Sequence, residues 1–198
     1  MADAYDRLQP AHMDFIASQK MFFVATSPLS GDGRINLSPK GYDSLVVIDP
    51  HTIAWIDLGG SGIETLAHLK ENGRITLMWC AFEGRANILR AYGRGAAHGL
   101  DEPRFAELKP LFPGHDRARS IVTVRVERVA DSCGWGVPFY DFKSERDQLR
   151  RWVDDKPYDE WRARRYASNA QSIDGLQGLV APDAQSPTPE TSDKATTS

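Results

Sequence analysis

An antiparallel β-barrel with a few flanking helices is the fold that this 198-residue chain predicts. About seven short apolar or alternating segments follow one another, and turn residues separate most of them. Helical segments do not alternate regularly with these strands, so repeated βαβ units are disfavoured. One predicted strand is followed by a glycine-rich loop and a helix instead of a hairpin turn, and we expect a functional site at this interruption.

Short apolar runs and period-two alternation predict the strands in chain order. They are Met21–Thr26, Arg34–Lys40, Leu45–Ile48, Thr52–Asp57, Arg74–Phe82, Asn87–Ala97 and Ser120–Val129. The second strand alternates in polarity. One of its faces carries the polar residues Arg34, Asn36, Ser38 and Lys40, and the other carries Ile35 and Leu37.

Apolar residues at helical spacing predict Ala11–Lys20, Ile63–Glu71, Pro103–Leu111, Ser144–Val153 and Tyr158–Tyr166. The fourth of these helices begins with a capping-box-like pattern at Ser144. Residues 181–198 contain no large apolar side chain, so we predict a disordered tail after a folded domain of residues 1–180. Removing that tail is expected to leave the melting temperature unchanged.

Composition excludes several classes of protein. The 24 basic and 27 acidic residues give a net charge of −3, which disfavours nucleic-acid binding. No apolar run is long enough to cross a membrane, and no secretory signal opens the chain. Two cysteines cannot form a four-cysteine zinc site, and the five histidines lack metal-ligand spacing, so no metal is expected. These features predict a reduced, cytoplasmic protein.

The loop that follows the strand Thr52–Asp57 contains three glycines and a serine. Glycines allow backbone N–H groups to approach an anion, and the start of the next helix adds partial positive charge. This pattern indicates a phosphate site, although a flexible turn that caps a helix has the same composition.

The polar strand strengthens the phosphate interpretation because a phosphate requires cations and hydroxyl donors. If that strand lies beside the loop, Arg34 or Lys40 supplies charge. Hydroxyl donors would then come from Ser38, Ser61 and Thr65. Separately, each segment is equally typical of an ordinary solvent-exposed strand or turn.

The sequence assigns no catalytic residue. No serine lies in a nucleophile elbow, His68 is more typical of a packed helix residue, and Cys133 has no base nearby in the sequence. The valine face of Ser120–Val129, together with an aromatic cluster, predicts a homodimer interface. The cluster consists of Trp135, Phe139, Tyr140 and Phe142.

Four segments resemble the pyridoxamine 5'-phosphate oxidase-like, FMN-binding split-barrel family: Gly33–Gly41, Asp57–Thr65, Ala67–Met78 and Asn87–Gly93. The resemblance extends over Met21–Val129. The later segments Cys133–Pro138 and Ser172–Leu176 resemble an uncharacterised, oxidase-related subgroup.

The resemblance implies a six-stranded antiparallel split β-barrel that forms a homodimer with FMN in two clefts at the interface. It implies that the flavin phosphate and ring edge are held by Arg34, Asn36, Ser38, Lys40, Asp57, Gly60, Ser61, Gly62 and Thr65. A polar side chain of the partner subunit, Asn87 or Arg90, would complete the site.

The implied function is that of an FMN-dependent oxidoreductase acting on an unidentified small molecule. The alternatives are a non-catalytic flavin or haem binding or storage protein and a deazaflavin-dependent reductase. In pyridoxamine phosphate oxidases the loop continues Ser-Arg-Lys, whereas this chain has Glu64 where a base is expected. The family's C-terminal Arg-x-His segment is also missing, so the resemblance does not extend to pyridoxamine phosphate oxidation.

Overall fold

The computed structural model describes residues 4–182, which form one antiparallel sheet with helices around it. Its strands are β1 (Ala4–Tyr5), β2 (Phe22–Thr26), β3 (Asn36–Lys40), β4 (Leu45–Asp49), β5 (Thr52–Asp57), β6 (Arg74–Cys80), β7 (Ile88–Gly99) and β8 (Ser120–Ser132). The order across the sheet is β3-β2-β6-β7-β8-β5-β4, and the sheet curls into a half-barrel. The predicted split-barrel class is therefore confirmed.

Residues 4–182 form eight strands, not the six that the resemblance implies. One of the additional strands is β1. It pairs with the end of β8, which runs three residues beyond its predicted end at Val129. Because β5 pairs only with the Ser120–Arg125 part of β8, the end of that edge can pair with another strand. The two residues of β1 pair there with Val129 and Ala130.

The helices are α1 (Pro10–Ser18), α2 (Glu64–Asn72), α3 (Pro103–Leu108), α4 (Gln148–Asp154) and α5 (Tyr158–Ser168). A 3-10 turn at Lys109–Leu111 follows α3 and completes the segment that was predicted as one helix. The predicted capping box at Ser144 is wrong, because α4 begins four residues later, at Gln148. Helical structure forms only where Leu149 and Val153 have apolar neighbours to pack against.

The core fills the inside of the curled sheet. Trp55 and Trp79 are fully buried there. The valine face of β8 (Val122, Val124 and Val126) is also buried in this core, so its predicted role in a dimer interface is wrong. The reason is that β8 is a central strand, paired with β7 on one side and β5 on the other.

The aromatic cluster lies on the surface, as a candidate interface must. Trp135 is 86% exposed and Phe139 is 80% exposed. Both belong to an irregular segment, residues 133–147, that joins β8 to α4. Among residues 4–182, no helix combines the length and apolarity that crossing a membrane requires. Residues 183–198 of the predicted tail lie outside the described range.

Candidate functional site

The predicted interruption of the sheet is present between β5 and α2. The chain leaves β5 at Asp57 and enters α2 at Glu64. Gly59 has a φ of 97°, a left-handed conformation that glycine adopts without the strain of a side chain. The N-cap residue of α2, Ile63, offers no side-chain hydrogen bond, so no side chain caps the N–H groups at this helix start.

Two arginines fix which way the peptide groups of the loop face. The Gly60 carbonyl accepts hydrogen bonds from Arg165 Nη1 at 3.3 Å and from Arg119 Nη1 at 3.5 Å. The Gly62 carbonyl also accepts one from Arg119 Nη1. In a trans peptide the C=O and the following N–H point in opposite directions. The N–H groups of Ser61 and Ile63 therefore point away from the arginines.

These two N–H groups are unpaired donors of the loop in the part of the chain that the structure describes. Within residues 4–182, neither the Ser61 N–H nor the Ile63 N–H has a hydrogen-bond acceptor. Both lie at the N-terminal end of α2, where the helix dipole favours negative charge. Free N–H donors at a helix start are typical of an anion-binding loop, and we call residues 58–63 the glycine-loop cradle.

A buried carboxylate holds the base of this cradle. Asp57 Oδ2 accepts hydrogen bonds from Arg119 Nε at 3.1 Å and Nη2 at 3.0 Å, and Lys40 Nζ lies 3.6 Å from Oδ1. Burial by itself would raise the pKa of Asp57. The charges of Arg119 and Lys40, with the hydrogen bonds from Arg119 and the Gly59 N–H, lower it well below its ordinary value instead. Asp57 is therefore ionised at neutral pH.

The polar face of β3 is turned inward, toward the cradle. Asn36, Ser38 and Lys40 are half-buried, whereas the apolar Leu37 between them is 64% exposed. Asn36 Nδ2 donates a hydrogen bond to Thr65 Oγ1 at 2.9 Å, and this links β3 to the first turn of α2. This observation rejects the alternative of an ordinary solvent-facing polar strand.

A buried histidine continues this polar connection beneath α2. His68 is fully buried, and its Nδ1 lies 3.0 Å from Thr26 Oγ1, which in turn accepts a hydrogen bond from Asn36 Nδ2 at 3.3 Å. The Ser38 Oγ and His68 Nε2 atoms are buried and have no hydrogen-bond partner within the described part of the chain. Buried groups without partners are uncommon, so their presence beside the cradle suits a site that takes a polar ligand.

The buried histidines predict a loss of stability at mildly acidic pH. Burial lowers the pKa of His68 from 6.5, and His98 and His115 shift in the same direction for the same reason. As the pH falls below 6.5 the unfolded chain takes up protons that the folded chain resists, so the free energy of unfolding should decrease. Melting temperatures between pH 7.5 and 5 test this expectation.

The matched comparison is His68→Gln against His51→Gln, because His51 is exposed. The first variant should flatten the pH dependence of the melting temperature below pH 6.5, and the second should leave it as in the parent. Equal slopes in all three proteins would show that His68 does not resist protonation.

Most of the predicted site residues meet around the cradle. Asn36, Lys40, Asp57 and Thr65 are joined there by the contacts given above, and Ser38 shares their side of β3. Gly60, Ser61 and Gly62 form the cradle itself. The alternation of β3 and the glycine pattern of the loop therefore independently indicate the same site, the glycine-loop cradle.

Arg34 is placed differently from its expected role. It precedes β3, its side chain is 69% exposed, and its backbone N–H and guanidinium both donate to the carboxylate of Asp174. Within one chain, Arg34 is therefore paired with a carboxylate in the C-terminal segment instead of being free for a phosphate. Lys40 is the cation from this strand that reaches the cradle.

Asn87 and Arg90 lie far from the cradle of their own chain. Asp57 is level with Gly99 across the sheet, since both pair with Ser120. Arg90 is nine residues earlier on β7, which is a path of roughly 30 Å along the strand at the rise of a β-strand. Its guanidinium donates to Ser132 Oγ at 3.1 Å. These two residues reach a cradle only if it belongs to another subunit.

Sequence reasoning missed the two arginines that orient the loop. Arg119 is 62 residues from Asp57 and directly precedes β8, where no pattern marks it. The position of Arg165 could have been recognised as buried from the sequence. It lies on the buried stripe of α5 at helical spacing with Trp161 and Asn169, and an arginine on such a stripe requires a buried partner.

Comparison with known proteins agrees with this fold. The family model described as pyridoxamine 5'-phosphate oxidase matches residues 8–133. HupZ of Group A Streptococcus has a similar solved structure, with 17% identity over 68% of this chain and 100% of that one and a TM-score of 0.51. An FMN-binding protein from Syntrophomonas wolfei has 16% identity over 59% of this chain and 79% of that one, with a TM-score of 0.42.

A sequence relative covers more of the chain. The pyridoxamine 5'-phosphate oxidase family protein ustO of Aspergillus flavus is 33% identical over 196 residues, which covers 88% of this chain and 77% of that protein. The split barrel and its glycine-loop cradle thus define a protein of the oxidase-like split-barrel class. The chain belongs to the pyridoxamine 5'-phosphate oxidase family.

Proposed function

We propose that this protein binds FMN, with the flavin phosphate in the glycine-loop cradle, and acts as an FMN-dependent oxidoreductase on a small molecule. The observation that carries the proposal is the orientation of the Ser61 and Ile63 N–H groups. Their carbonyl neighbours are held by arginines on the opposite side. Two free donors at a helix start suit a terminal phosphate.

Each group of the site would have a distinct task. The cradle N–H groups and the Thr65 hydroxyl would bind phosphate oxygens, and Lys40 would supply positive charge. Asn36 is already fixed by Thr65 and would hold that hydroxyl in place. Bound FMN would supply the redox chemistry, while the protein supplies binding and orientation.

The proposal includes a homodimer. Asn87 and Arg90 cannot reach the cradle of their own chain, whereas a two-fold pairing can bring them to the cradle of a second copy. Exposed apolar side chains supply candidate contact area, among them Trp135 and Phe139 in the irregular segment and Ile35 and Leu37 beside the polar face of β3. Intracellular, cytoplasmic location stays part of the proposal, on the cysteine usage noted above.

The test is the chromophore of the purified protein. We expect about one FMN per chain after reconstitution, with absorption near ~370 and ~450 nm that is typical of a flavin cofactor. Light scattering on the same sample should give a dimer that FMN stabilises, because a ligand bound by both chains favours their association.

Other outcomes would separate the alternatives. A haem spectrum, or preference for a deazaflavin over FMN in the same titration, would contradict the cofactor assignment. Bound FMN that NADPH and other electron donors fail to reduce would support a flavin carrier instead of an enzyme. A monomer with stoichiometric FMN would remove Asn87 and Arg90 from the site.

A further inference from the structure

Arg165 is a buried cation without a carboxylate partner. It is 5% exposed, and no carboxylate oxygen of residues 4–182 lies within 4.0 Å of its guanidinium. Its protein contacts are the Gly60 carbonyl at 3.3 Å and the ring of Trp152, whose centre is 4.6 Å from Cζ. Its Nε atom has no hydrogen-bond partner among the residues that the structure describes. A buried, unpaired charge is unfavourable unless something compensates it.

A second buried arginine lies beside it. Arg119 is 4% exposed and pairs with Asp57, which Lys40 also contacts, so among the described residues Arg165 is left without an acidic partner. Burial and then the charges of Arg119 and Arg164 lower the pKa of Arg165, which indicates a positive local potential. Excess positive charge beneath a loop whose N–H groups face outward indicates that the loop receives an anion.

The loop itself lacks a cation. The base expected after Ser61 is replaced by Glu64, which folds back to accept the Ile173 N–H at 3.2 Å. A phosphate in the cradle therefore needs positive charge from other parts of the chain, and Lys40 on β3 is one source. The arginines lie on the far side of the same loop, where they hold its carbonyl groups.

We propose that Arg165 is a positioning residue of the phosphate site, and that it supplies from α5, together with Arg119, the positive charge that the loop lacks. This inference rests on the proposed function. Arg165 acts in two ways from beneath the loop. Its hydrogen bond to the Gly60 carbonyl directs the Ser61 N–H toward the ligand, and its charge strengthens the field at the phosphate.

The test compares FMN with riboflavin, which differ only by the phosphate. Arg165→Gln keeps a donor for Gly60 and removes the charge, whereas Arg165→Lys keeps the charge. Arg104→Gln is the matched control, because Arg104 is an exposed arginine on α3 that pairs with Glu107 at 2.6 Å. We expect Arg165→Gln to raise the FMN dissociation constant about tenfold, with little change for riboflavin.

Arg165→Lys should recover part of the FMN affinity, and Arg104→Gln should change the affinity for neither ligand. A parallel loss of both ligands in Arg165→Gln would show a purely structural role and overturn the inference, as would unchanged FMN affinity. Inorganic phosphate is a second probe: it should raise the melting temperature of the parent more than that of Arg165→Gln, and an equal rise in both would also overturn the inference. A parent that binds FMN no better than riboflavin and is not stabilised by phosphate would overturn the proposed function itself.

Discussion

Replacing Asp57 by asparagine should lower the free energy of unfolding by about 3–5 kcal/mol, the range for breaking a buried ion pair. The amide would leave Arg119 buried with no acidic partner and would also remove the nearest carboxylate from Lys40. Urea denaturation measures the effect. Asp116→Asn is the control, because Asp116 is exposed and its replacement should change stability by less than about 0.5 kcal/mol.

The same variant should respond differently to strong acid. The pKa of Asp57 is lowered in the folded state, so its stabilising contribution is complete above the ordinary value of 3.8 and is lost as the pH falls further. The parent should therefore lose stability below pH 3.8 more steeply than Asp57→Asn. Equal stability of the variant and parent at neutral pH would contradict the role given to Asp57.

Replacing Lys40 by methionine should raise the dissociation constant for FMN by about 10- to 150-fold, which corresponds to roughly 1.5–3 kcal/mol for a charged contact. Methionine keeps most of the apolar length of the side chain, which is already largely buried, and removes the charge. Riboflavin affinity should change little. Titration of both flavins into the deflavinated protein measures the difference.

Lys143→Met is the control for that titration, because Lys143 is exposed in the irregular segment after β8. Arg34→Met should have a smaller effect than Lys40→Met, since Asp174 already holds the Arg34 guanidinium. If Arg34→Met abolished FMN binding while Lys40→Met did not, the cation of the site would have been assigned to the wrong residue.

The parts of the site that the sequence predicts are those with a local pattern. Period-two alternation placed Asn36, Ser38 and Lys40 on one face of a strand, and three glycines before a helix marked the cradle. The antiparallel barrel followed from the spacing of strands and turns, and its split-barrel type followed from the family resemblance. Which way the polar face points was open in the sequence, because alternation defines two faces without saying which one is buried.

The missing parts depend on contacts that are distant in the chain. Arg119 and Arg165 reach the Gly60 carbonyl from 59 and 105 residues away, and no spacing rule connects them to it. Arg34 is a cation on the predicted polar strand, so the sequence favours it as a phosphate ligand. Its actual partner, Asp174, is 140 residues later and is not connected to it by any local pattern. The valine face of β8 has the pattern of an exposed interface or of a core, and only its central place in the sheet decides between them.

The most direct test of the central claim is the amide spectrum of the isotopically labelled protein during titration with FMN and, separately, with riboflavin. We expect the amide resonances of Ser61 and Ile63 to shift strongly with FMN and much less with riboflavin, because only FMN carries the phosphate that these N–H groups would bind. Saturation with FMN that leaves both amide resonances unchanged would contradict the glycine-loop cradle as the phosphate site.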